Sequence, residues 1–176
     1  MSADSPVAKT DAVGLSDAEF LRQFADCTLP YVHWTHRAHL RVAYLYVTQF
    51  GLADAIPKVT AGIRAYNRSQ NIVDTPTSGY HETMTVAWLH IVAAMVAEYG
   101  PTGETDRCRA SASLAAAGGA PALQSSPAEQ FLAAQTHLQE KKLLRLFYSR
   151  ERFGSPEAKY TFVPPDLAPL PSARHV

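Results

Sequence analysis

The sequence predicts an all-α fold, a compact bundle of five or six helices with an extended Pro-rich C-terminal tail. Three observations carry that prediction. Apolar residues recur at helical spacing along most of the chain, Ser, Thr and Gly stand where helices should open and close, and the run P-P-D-L-A-P-L-P ends the pattern. Of the 176 residues 47% are hydrophobic and 18% charged, enough apolar surface to bury one core unaided.

Residues 1–14 are small and polar and are expected to form a flexible N-terminal arm, with 15–176 as a single helical domain. Ser16 is placed to cap a first helix carrying Phe20, Leu21 and Phe24 and ending near Cys27, before Pro30 interrupts. Thr35 caps a second helix from His36 to Phe50, closed by Gly51 and apolar nearly all round, which marks it as central. Ile56, Val59, Ile63 and Tyr66 place a third helix over about 53–68. The run N-I-V-D-T-P-T-S-G is a turn-rich connector, and a fourth helix extends from about Tyr80 to Tyr99. Residues 100–127, rich in Ala, Gly, Ser and Pro, read as a long connection. Helical spacing resumes over about 128–148 through Phe131, Leu132, Leu143, Leu144 and Phe147, and 154–176 read as the extended tail.

Charge narrows the function classes. Lys plus Arg and Asp plus Glu number 16 each, so no long-range field favours nucleic acid or an anionic membrane. Cys27 and Cys108 form no C-x-x-C pair, and no stretch approaches the roughly 20 apolar residues that span a bilayer, so a cytoplasmic location is expected. Ser149 and Ser155 lack a G-x-S-x-G context, and no Gly-rich phosphate loop is present. H-E-T-M-T at His81 lacks the second histidine of a zinc protease.

The chemistry-bearing residues are histidines. Residues three apart on a helix are separated by about 60° around its axis, so His36 and His39 in W-T-H-R-A-H-L share one side of the second helix. His81 in Y-H-E-T heads the inward stripe of Thr85, Trp88, Val92 and Val96. Short links make successive helices antiparallel, so the second and fourth run parallel and bring His36, His39 and His81 to one end. The end of the third helix delivers Tyr66 and Asn67 there, and Glu82 stands beside His81.

This set suits a divalent transition metal (Zn, Fe, Mn or Cu) held by His36, His39 and His81, with Glu82 as a ligand, an acceptor behind a ligand or a proton-transfer group and Tyr66 and Asn67 orienting a small organic substrate, for which a carboxylate or phosphate would fit. Two other readings stay open. One is a metal-free acid–base enzyme using His81 and Glu82; the other is a non-catalytic binding or interaction domain with structural histidines, whose apolar helices serve a ligand pocket or a homodimer seam. His33 is a further candidate ligand, and Trp34 a candidate pocket wall. Arg145, Arg150 and Arg152 in R-L-F-Y-S-R-E-R-F would suit an anion but read as a solvent-facing helical surface paired to Glu151.

W-T-H-R-A-H-L, Y-H-E-T-M-T-V-A-W-L, L-F-Y-S-R-E-R-F-G-S-P-E-A-K and F-V-P-P-D-L-A-P-L-P together resemble blocks of a largely uncharacterised family of small helical bacterial proteins, over most of residues 30–171. The resemblance implies one coherent domain with His36, His39, His81 and Glu82 in its motifs, and no particular reaction.

Overall fold

Ser16 opens the first helix as expected, its hydroxyl accepting from Glu19 N at 3.2 Å, and α1 runs Asp17–Ala25 with Phe20 and Phe24 wholly buried. The structure is a computed structural model describing residues 9–12, 14–103 and 125–172. Most of the expected arm and of the 100–127 connection lies outside those residues. Among the described residues the fold is all-α, with a lone backbone bridge between Thr75 and Ser78 and no helix long and apolar enough to cross a membrane.

The arm ends sooner than its composition suggests. Thr10 N donates to Val32 O at 2.9 Å, and Thr35 Oγ1 donates to Asp11 Oδ1 at 2.7 Å, so residues 9–12 are tied to the 3-10 turn Tyr31–His33 and the start of the next helix. The Lys9 and Asp11 side chains bond Trp34 O and Thr35 Oγ1, just after that turn.

Thr35 then caps α2, His36–Ser69, accepting from Ala38 N at 3.2 Å. At Gly51 the backbone takes φ 74°, ψ 165°, in the half of conformational space that disfavours a side chain. This break divides α2 into the two predicted rods. Both face the core, the first through Leu40, Val42, Tyr44 and Val47 and the second through Val59, Ile63 and Tyr66.

The connector makes a tight turn in which Asp74 Oδ1 accepts from Tyr80 N at 2.6 Å. Gly79, at φ 82°, permits it, because a β-carbon there would lie 2.0 Å from Asp74 Oδ1. The next helix, α3, is Glu82–Tyr99 and packs along α2 through Ala87, Leu89 and Val92.

After Ser126, α4 spans only Pro127–Ala134. The expected continuation to residue 148 is replaced by 3-10 segments, Thr136–Gln139 and Lys141–Leu146. T-H-L-Q-E-K-K supplies one apolar residue in seven, too few for a helical stripe, and only Leu138 and Leu144 reach the core. Residues 154–176 are not extended throughout either. Ser149 and Ser155 cap short helices α5, Arg150–Phe153, and α6, Pro156–Tyr160; Pro156 fits the first turn, where no N–H is needed. From Phe162 to Ser172 the chain forms no helix and docks on the start of α3, with Val163 N donating to Thr83 Oγ1 at 3.1 Å.

One buried cation ties these parts together. Arg41, 2% exposed, donates from Nε to Asp17 Oδ1 at 2.9 Å and from Nη2 to Leu15 O at 2.6 Å. Asp17 in turn accepts from Ser126 Oγ at 2.7 Å and Ala128 N at 3.0 Å, so one ion pair fastens α1, α2 and α4. Beside it Arg37 pairs with Glu129.

Candidate functional site

The first turn of α2, the Thr75–Tyr80 turn, the first two turns of α3 and the limb from Gln139 to Lys159 enclose a cavity of about 1370 Å³. His36, His39, His81 and Asn67 all line it. Trp34 and Trp88 form apolar wall, the latter 4.9 Å from the His36 ring.

Each imidazole is held by one nitrogen. His36 Nε2 lies 2.9 Å from Leu138 O and donates to it, leaving Nδ1 as the lone-pair nitrogen. His39 has the opposite arrangement: Nδ1 donates to Thr35 O at 2.6 Å, leaving Nε2. Neither remaining nitrogen has a hydrogen-bond partner among the described residues. The His39 ring rests 3.9 Å from that of Trp34, and burial pushes its pKa down to about 4, with His36, Lys9 and Lys141 adding repulsion against the Thr35 carbonyl's opposing pull. Burial also lowers His36, the Leu138 carbonyl opposing and Lys141 assisting. Both rings are therefore neutral at neutral pH.

His81 is placed differently. It stands one residue before α3 as its N-cap, Nδ1 accepting from Met84 N at 3.2 Å while the ring stacks on Phe153 at 4.9 Å. Burial lowers its pKa, the Phe153 carbonyl opposes by hydrogen bonding, and Lys159 lowers it further. Its Nδ1 lone pair faces the Met84 N–H, so His81 turns that nitrogen to the cap of α3. Among the described residues no three or more His, Cys, Asp or Glu side chains are grouped to hold one. The donor set does not fit the expected three-histidine centre.

Two other expected site residues face away. Tyr66 is fully buried, donates from its hydroxyl to Leu29 O at 2.8 Å, and packs on Trp34 with ring centroids 4.6 Å apart. It braces the wall rather than lining the cavity. Glu82 accepts from Arg64 Nη2 at 3.1 Å and from the Tyr80 hydroxyl at 2.9 Å, also outside the lining. The positive end of α3 and Arg64 hold that carboxylate. His33 bonds Thr10 O at 3.1 Å and takes no part in the cavity.

What sequence reasoning missed is the charge of the walls. Arg145 and Arg150, though exposed, line the cavity together with Lys141, Lys142 and Lys159, and Asp11 is the lone carboxylate in the lining among the described residues. Arg152 lies 4.0 Å from Glu157 rather than pairing with Glu151. Lys159 is 4% exposed, and its Nζ donates to Ser78 O at 2.8 Å and Tyr80 O at 2.6 Å. Gln139 Nε2, buried at the cavity wall, has no hydrogen-bond partner among the described residues. The available signal was local: residues 141–159 hold six Lys and Arg against Glu151 and Glu157, in a chain neutral overall.

No family model, curated protein or solved structure matches this chain.

Proposed function

We propose that the chain is an enzyme that acts on a small anionic organic substrate by proton transfer at His36, with His39 accepting a hydrogen bond from the substrate. The observation that supports this best is the pair of neutral imidazoles, each steered by a backbone carbonyl and each keeping one unengaged nitrogen, in a cavity whose walls are cationic.

The division of labour follows from basicity. His39, at about 4, is too weak a base to hold a proton at neutral pH, so its role is to accept a hydrogen bond from substrate. His36, whose Nε2–H is held by Leu138 O, is the general base through Nδ1. Wall cations hold the substrate's anion and stabilise negative charge that develops as the proton leaves. Asn67, buried in the lining, orients the substrate. Such a centre serves lyase, isomerase or hydrolase chemistry.

The test is a panel of small organic carboxylates and phosphates incubated with the protein in D2O and followed by proton NMR for exchange or conversion. His36→Gln should lower turnover by about 10²- to 10⁴-fold, the usual share of a general base, with ligand binding retained. Undiminished turnover in His36→Gln would remove His36 from the chemistry. Binding without turnover across the panel would instead favour a non-catalytic binding domain.

A further inference from the structure

Lys141, Lys142, Arg145, Arg150 and Lys159 come from one limb of the chain and line one cavity, and none joins an ion pair among the described residues. Arg37, also in the lining, is matched by Glu129, and Arg41 and Arg64 are matched by Asp17 and Glu82, whereas Lys9, which also lines the cavity, and Lys58 and Arg68 likewise join no ion pair among the described residues. Gathering unmatched cations around a hollow raises the local potential and disfavours the empty state, so the arrangement calls for a counter-charge of more than one unit. A monocarboxylate supplies one charge and two oxygens, whereas a phosphate monoester supplies nearly two charges and three terminal oxygens.

The cations are also graded by depth. Lys141, Lys142, Arg145 and Arg150 are exposed and stand at the rim, whereas Lys159 is buried and keeps one N–H after serving Ser78 O and Tyr80 O. Trp34, Tyr80, Trp88 and Tyr148 are buried and make the interior aromatic. The unpartnered Gln139 amide is a further donor on the wall. A volume of about 1370 Å³ holds more than a simple anion.

Resting on the reading of this cavity as a site for a small anion, we infer that its ligand is an organic phosphate, a planar group bearing a phosphate monoester. The phosphate sits at the mouth among Lys141, Lys142, Arg145 and Arg150, and the planar group lies inside against Trp34 and Trp88. That placement sets the group carried by the phosphate beside His36, whose ring already contacts Trp88.

Trp34 and Trp88 are the chain's two tryptophans and both line the cavity, so intrinsic fluorescence reports directly on its occupancy. The full chain is titrated with phenyl phosphate, benzoate and inorganic phosphate, with calorimetry as a second readout. Phenyl phosphate is expected to bind about tenfold or more tightly than either of the others, and more weakly as salt is added. Lys141→Gln combined with Arg145→Gln should weaken it by about tenfold, and Arg150→Gln alone should weaken it measurably; these side chains are exposed, and circular dichroism verifies the fold. Benzoate binding as tightly as phenyl phosphate would overturn the phosphate assignment while sparing the anion site. Inorganic phosphate binding equally well would overturn the planar group. Variants with unchanged affinity would overturn the rim as its seat, and no binding of any of the three would overturn both the inference and the reading beneath it.

Discussion

Replacing Arg41 with alanine should destabilise the protein by about 3–5 kcal/mol, because it strands a partly buried carboxylate that several elements share. Asp17, whose side chain is 16% exposed, would keep Ser126 Oγ and Ala128 N but lose its cation, and Leu15 O would lose a donor. The loss reaches the cavity, since α4 leads into the segment that carries Leu138 O to His36 and Lys141 to the wall. Urea unfolding measures this as a lower midpoint. Arg41→Lys should recover only part of it, because an ammonium cannot reproduce the guanidinium's two directed bonds to Asp17 and Leu15. A shift below about 1 kcal/mol in Arg41→Ala would mean that the ion pair does not hold α4 in place.

Trp34→Ala should have the second large effect, again about 3–5 kcal/mol, for the loss of a large buried side chain. Trp34 is 3% exposed, stacked on Phe24 at 5.2 Å and packed on Tyr66 and His39. A specific consequence separates this substitution from generic core damage. His39 owes its low pKa first to burial, and Trp34 covers its ring, so removal of the indole should raise the His39 pKa from about 4 toward the ordinary value near 6.5. Proton NMR of the imidazole reads that rise in whatever fraction remains folded. An unmoved His39 would show that other contacts keep it dry.

Much of this architecture is legible in the residues, for identifiable reasons. Ser16 and Thr35 cap helices because a hydroxyl satisfies a free N–H, and Gly51 breaks α2 because it tolerates φ 74°. These are local effects, and local effects can be read locally. The three-residue spacing of His36 and His39 likewise brings both rings to one cavity. Where one step along a helix turns a side chain through about 100°, sequence phase is less secure. Asn67 meets the cavity while Tyr66 faces Phe24 and Trp34. His81 reads as the head of the α3 stripe but stands one residue outside the helix, where its ring turns back to cap it.

The limb from Thr136 to Tyr160 was beyond sequence reading. Its 3-10 segments and four- or five-residue helices are too short to show a period, so their shape depends on packing against α2 and α3. Exposed cations of this limb therefore also line the cavity. No periodicity argument reveals that Lys159 will cross to Ser78 and Tyr80, nearly eighty residues earlier in the chain.

The most direct test is nitrogen-15 NMR of the histidine side chains, recorded from neutral pH down to about 4. His36 should be neutral with its proton on Nε2 and His39 neutral with its proton on Nδ1, His39 staying so until pH approaches about 4. If both rings instead carry a full positive charge near pH 6, or share one tautomer, the cavity does not present the two lone pairs on which the proposed chemistry depends.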